Sequence, residues 1–110
     1  MIHTDPAPTA QAKLLAIKTA LAATANWRDS RGKKYPDDIR NEHAARLLRS
    51  LIGETPSLPD HLVAELSACP NLGQAASDTA RRVGFSLFPA SLIEFLHAIL
   101  LHAAEQGGVR

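Results

Sequence analysis

The sequence predicts an all-α protein, a compact bundle of about five helices, and three observations carry that reading. Nineteen of its 110 residues are alanine, the residue with the highest helix propensity. No stretch alternates apolar and polar residues as a half-buried strand does. Between breakers, apolar residues recur at three- and four-residue steps, the spacing of a single helix face.

The first helix is expected over residues 9–26, with Thr9 as its N-cap and Leu14, Ile17, Leu21 and Ala25 on the buried face. Asp29, Ser30, Gly32 and Pro36 then break the pattern, so residues 27–38 read as a loop. A second helix follows over 38–52, capped by Asp37 or Asp38. Ile39, His43, Leu47 and Leu51 form one row on it, with Ala44, Leu48 and Ile52 beside them.

Ser57 and Asp60 resemble a capping box, and Pro59 sits where a first helical turn tolerates it, giving a third helix over 58–68. Cys69-Pro70 stops it, because a residue before proline disfavours the α conformation, and Asn71 caps a fourth helix over 72–83. Gly84 ends that helix and Pro89 opens the fifth, over 89–106. Leu92, Ile93, Phe95, Leu96, Ile99, Leu100 and Ala103 cover a broad arc of the fifth helix, which places it at the centre of the bundle. Residues 1–8 read as a flexible leader and 107–110 as a flexible tail around a single domain, 9–106.

Composition excludes several function classes. A hydrophobic fraction of 45% with 21% charged residues belongs to a folding chain, and twelve Lys and Arg against eleven Asp and Glu leave no global field toward nucleic acid or membrane. The most apolar stretch, residues 88–104, is interrupted by Glu94, His97 and His102, so no membrane span is expected. The N-terminal residues lack the basic end and apolar run of a signal peptide. Cys69 is the only cysteine, which rules out an internal disulfide and fits a reducing, cytoplasmic setting.

Residues 27–35 are the most unusual segment. Trp27 and Tyr35 flank Arg28, Arg31, Lys33 and Lys34, a pattern able to grip a phosphate backbone while a ring stacks on a base. The plainer reading is a solvated connection whose Trp27 closes over the core and whose cations pair with Asp29, Asp37 and Asp38. Arg81-Arg82 before Val83-Gly84 suggests a helix-turn-helix, but the turn to Phe88 is too long and the next helix too apolar, so Phe85, Leu87 and Phe88 are expected in the core.

Glu94 and His97 have the E-x-x-H spacing of di-iron bundles without the second copy such a site needs, and no metal or cofactor is expected. His61 with Glu65 lacks a nearby nucleophile, His43 reads as a packed boundary residue, and Cys69 lies far in sequence from any activating cation. No catalytic residue is assigned. The leading expectation is a non-enzymatic, self-associating interaction module, a homo-oligomer using Leu101, Ala98 and His97, with the basic segment meeting an acidic patch on a protein partner. The alternative is nucleic-acid binding through residues 27–35, joined by Arg40, Arg81 and Arg82 where folding brings them close.

Overall fold

In the computed structural model, which describes residues 7–107, five α-helices follow one another: α1 (Ala7–Lys34), α2 (Arg40–Ile52), α3 (Asp60–Ala68), α4 (Leu72–Ala80) and α5 (Leu92–Gly107). The all-α bundle is as expected, and among the described residues no helix is long and apolar enough to cross a membrane.

The largest departure from expectation is α1, a single helix of 28 residues and so about 42 Å long. Residues 27–34 are its last two turns, where a loop was expected. Its buried row of Ile17, Leu21 and Ala25, at four-residue steps, continues three residues further on at Arg28. Gly32 costs a helix interior about 1 kcal/mol, but it lets α2 approach: a Cβ there would lie 3.6 Å from Asn41 Cβ. Arg31, Lys33 and Lys34 complement the negative end of the dipole. Pro36 supplies the stop, since it biases Tyr35 away from the helical region. At the other end Thr9 lies inside the helix, and Ala7 and Pro8 open it. The rest of the expected leader and tail, residues 1–6 and 108–110, lies outside the described residues.

The chain turns over residues 35–39, with the Asp38 N–H donating to the Tyr35 carbonyl at 3.0 Å. In α2, which runs back along α1, Asn41, Ala44, Ala45, Leu48 and Leu51 are buried, while Ile39 and His43 of the expected row are exposed. Neither Asp37 nor Asp38 is the N-cap, which is Ile39 without a side-chain cap; Asp38, just before it, accepts the Arg40 N–H on its Oδ1 at 3.2 Å. Over residues 53–59 Glu54 ties three elements together: its carbonyl accepts Lys18 Nζ at 2.6 Å and its Oε1 accepts the Leu92 N–H at 2.9 Å.

The expected capping box at Ser57 does not form. Pro59 is the N-cap of α3 and no side chain caps that helix. Lys13 instead closes its other end, donating to the Ser67 and Cys69 carbonyls at 2.7 and 2.8 Å. Asn71 begins α4 as expected, but without a side-chain cap, and the helix ends at Ala80, short of Val83. A tight turn follows, in which the Arg82 carbonyl accepts the N–H groups of Phe85, Ser86 and Leu87. Gly84 is essential to it, with φ at +86° and the Ala44 backbone so close that a Cβ would meet it at 2.9 Å.

The fifth helix starts at Leu92, after Pro89, because Ser91 provides the cap: its Oγ accepts the Glu94 N–H at 3.2 Å. Leu92, Phe95, Leu96 and Ile99 are fully buried in one core with Ile17, Leu21, Leu48, Leu51, Leu62 and Leu66. The central position expected for α5 belongs to α1, which packs against α2, α3 and α4, whereas α5 packs chiefly on α4.

Candidate nucleic-acid interface

The end of α1 brings together side chains from four stretches of the chain. Trp27, Arg31 and Lys34 are spaced by four and three residues and so share one face, while Arg28 turns inward. Because α4 runs alongside α1 in the same sense, from Cys69 near Lys13 to Arg81 near Arg28, its C-terminus and the Gly84 turn arrive at the same place.

Arg28 is the inner member, only 6% exposed. Its guanidinium donates to Asn41 Oδ1 at 3.3 Å and to the Arg81 carbonyl, and its Cζ lies 3.8 Å from the Phe85 ring centre and 4.5 Å from that of Trp27. Its Nε is buried without a partner. Burial, followed by the like charge of Arg31, and then of Arg40 and Arg81, pushes its pKa below the ordinary arginine value against the opposing pull of Asp38. Arginine nevertheless stays protonated at any ordinary pH.

The outer layer is reachable from solvent. Arg31 lies 5.3 Å from the Trp27 ring centre and 5.1 Å from that of Tyr35, Arg81 lies 5.2 Å from Trp27, and Lys34 Nζ lies 5.7 Å from Tyr35. Arg40 sits 5.1 Å from Phe85, with both Asp38 oxygens bound at 2.8 and 2.9 Å. Trp27 is 37% and Tyr35 45% exposed. Guanidinium groups and rings thus interleave, each contact within the roughly 6 Å reach of a cation–π interaction.

The charge balance departs from the plainer expectation of a self-neutralised segment. The ion pairs among the described residues are Arg40–Asp38, Arg46–Glu42, Arg49–Asp29 and His102–Asp78. Asp29 and Asp38 are therefore taken by arginines of α2, and Arg31, Lys33, Lys34 and Arg81 are left without a carboxylate within 4.0 Å. Arg49 and Arg40, by hydrogen bonding, hold the carboxyls of Asp29 and Asp38 below their usual pKa range.

Of the sequence-predicted residues, Trp27, Arg28, Arg31, Lys34 and Tyr35 meet in this cluster, whereas Lys33 lines an adjoining cleft with Asp29, Ile39 and Glu42, which Arg28 and Asp38 also border. Arg40 and Arg81 join it. Phe85, expected in the core, is half-buried and carries two of the guanidiniums. Phe88 is likewise exposed where core packing was expected.

The other candidates lie elsewhere. Leu101 is 63% exposed with His97 exposed and Ala98 half-buried on the same helix. His97 stacks on His61 with ring centres 6.4 Å apart, and Glu94 accepts the Ala90 N–H at 3.0 Å. No group of three or more His, Cys, Asp or Glu among the described residues is placed to hold a metal ion. In the comparisons with known proteins, no family model, curated protein or solved structure matches the chain.

Proposed function

We propose that the protein binds single-stranded nucleic acid through the cluster of Trp27, Arg31, Lys34, Tyr35 and Arg81. The observation that carries this reading is the interleaving of exposed rings with cations that have no carboxylate partner among the described residues. A guanidinium engages phosphate oxygens through two parallel hydrogen bonds, and an unstacked base finds a ring or an arginine plane to lie against. Both contacts are available together only on a single strand, whose base faces are open. Arg28 acts beneath them as the post that fixes Phe85 and the Arg81 backbone.

Trp27 is the only tryptophan, so its fluorescence reads the site directly. Adding a 20-nucleotide oligo-deoxythymidine at 50 mM salt is expected to quench it and to raise the anisotropy of a labelled strand, and the double variant Arg31→Ala, Arg81→Ala is expected to weaken binding at least tenfold. An unchanged emission together with unchanged anisotropy at micromolar protein would overturn the proposal.

A second reading, the self-associating interaction module, is supported by the exposure of Leu101 beside His97. Light scattering decides it: a dimer that persists at high salt and dissociates in Leu101→Asp supports it, and a monomer at 100 μM refutes it.

A further inference from the structure

We propose that the groove between α3, α4 and the C-terminal half of α5 docks a basic amphipathic helix from a partner protein. It runs along α4 from Asn71 to Asp78, one turn short of Arg81, and this inference stands apart from the nucleic-acid reading.

The groove has a volume of about 1070 Å³, with Ala68, Cys69, Ala75, Leu100, Ala103 and Ala104 as its apolar wall. That is at the upper end of the roughly 300–1,000 Å³ of small-molecule sites. Four of these six residues are alanines, so an incoming helix can bring its backbone close and seat larger side chains between them. The walls are themselves helices, which matches the recurring mode in which an amphipathic helix lays its apolar face into an apolar groove.

Charge selects the occupant. Glu65 and Asp78 line the groove, and among the described residues no Lys or Arg does. Asp78 accepts from Gln74 Nε2 at 2.9 Å and pairs with His102 Nε2 at 3.2 Å, contacts that keep its carboxylate charged. The cations nearby are committed elsewhere. The Lys13 ammonium is bound by the Ser67 and Cys69 carbonyls, and Arg81, one turn beyond Asp78, faces Trp27. A second copy set here by a two-fold axis would bring two Glu65 and two Asp78 residues to one seam with no Lys or Arg among the described residues to meet them, whereas lysines flanking an apolar stripe would meet both.

Cys69, the only cysteine of the chain, lines this groove and is half-buried, so it reports on occupancy in the unaltered protein. The test is binding of a labelled 18-residue helix of leucine and lysine, beside a leucine–glutamate helix of the same pattern, with the rate of Cys69 alkylation by iodoacetamide measured in each case. The expected result is binding of the lysine peptide at least tenfold tighter than the glutamate peptide, with Cys69 alkylation slowed at least fivefold at saturation. Ala104→Arg, at an exposed position, is expected to weaken lysine-peptide binding at least tenfold; should that variant unfold, the alkylation rate of the wild type carries the test. Equal affinity for the two peptides overturns the proposal, as does a bound lysine peptide that leaves the alkylation rate unchanged. Slow alkylation of Cys69 without peptide, in a chain that scatters as a dimer, also overturns it and assigns the groove to a second copy.

Discussion

Replacing Arg28 by methionine tests whether a buried cation holds this end of the bundle. The change keeps a long apolar stem but removes the charge-assisted hydrogen bond to the Arg81 carbonyl, the longer one to Asn41 and the stacking on Phe85 at 3.8 Å. A hydrogen bond from a charged group contributes about 1.5–3 kcal/mol, and a desolvated cation–π contact about 1–2 kcal/mol. Relief of the repulsion from Arg31, Arg40 and Arg81, which depresses the Arg28 pKa, offsets part of this. A net loss of about 2–4 kcal/mol follows, and at about 4 °C per kcal/mol for a domain of this size Tm should fall by about 8–16 °C. Circular dichroism at 222 nm during heating measures it. A buried charge is sometimes replaced by a hydrophobe without loss, so a Tm that rises or falls by less than about 3 °C would refute the clamp.

Other perturbations probe separate parts of the structure. Gly84→Ala forces a side chain into positive φ and against the Ala44 backbone; a loss of about 2–4 kcal/mol in urea unfolding is expected, since the left-handed conformation alone costs about 1–2 kcal/mol. Phe95→Ala empties the largest fully buried side chain and should destabilise by about 3–5 kcal/mol in the same assay. Asp78 has its pKa lowered first by the hydrogen bond to His102 and then by that to Gln74. The stability it contributes is therefore present above the unfolded value of about 3.9 and lost as pH falls through the folded one. Asp78→Asn should be less stable than wild type at pH 7, with the difference shrinking as pH falls below about 4 in a denaturation series.

The fifth helix was legible because Leu92, Phe95, Leu96 and Ile99 repeat at three- and four-residue steps and all four are buried. The C-terminal third of α1 was not. Asp29, Ser30 and Gly32 have low helix propensity, and the row through Ile17, Leu21 and Ala25 continues at a cation that a count of apolar positions passes over. What makes a buried arginine tolerable there comes from Asn41, Arg81 and Phe85, 13, 53 and 57 residues further on, and no local pattern encodes that meeting. Residues 27–35 signalled the candidate site, while its charge balance depended on tertiary structure, since Asp29 pairs with Arg49 across the α1–α2 seam. The Ser91–Glu94 spacing was a readable cap for α5, masked by Pro89 as an apparent start.

The central claim is that uncompensated cations around exposed rings grip a single-stranded polyanion, and its most direct test is the salt dependence of oligo-deoxythymidine binding. Single strands release counterions with a log–log slope of about −0.7 per neutralised phosphate. Arg31, Lys34 and Arg81, unpaired among the described residues, therefore predict a slope of about −2 for wild type and about −0.7 for Arg31→Ala with Arg81→Ala. A slope near zero, or one unmoved by the double variant, would contradict the account.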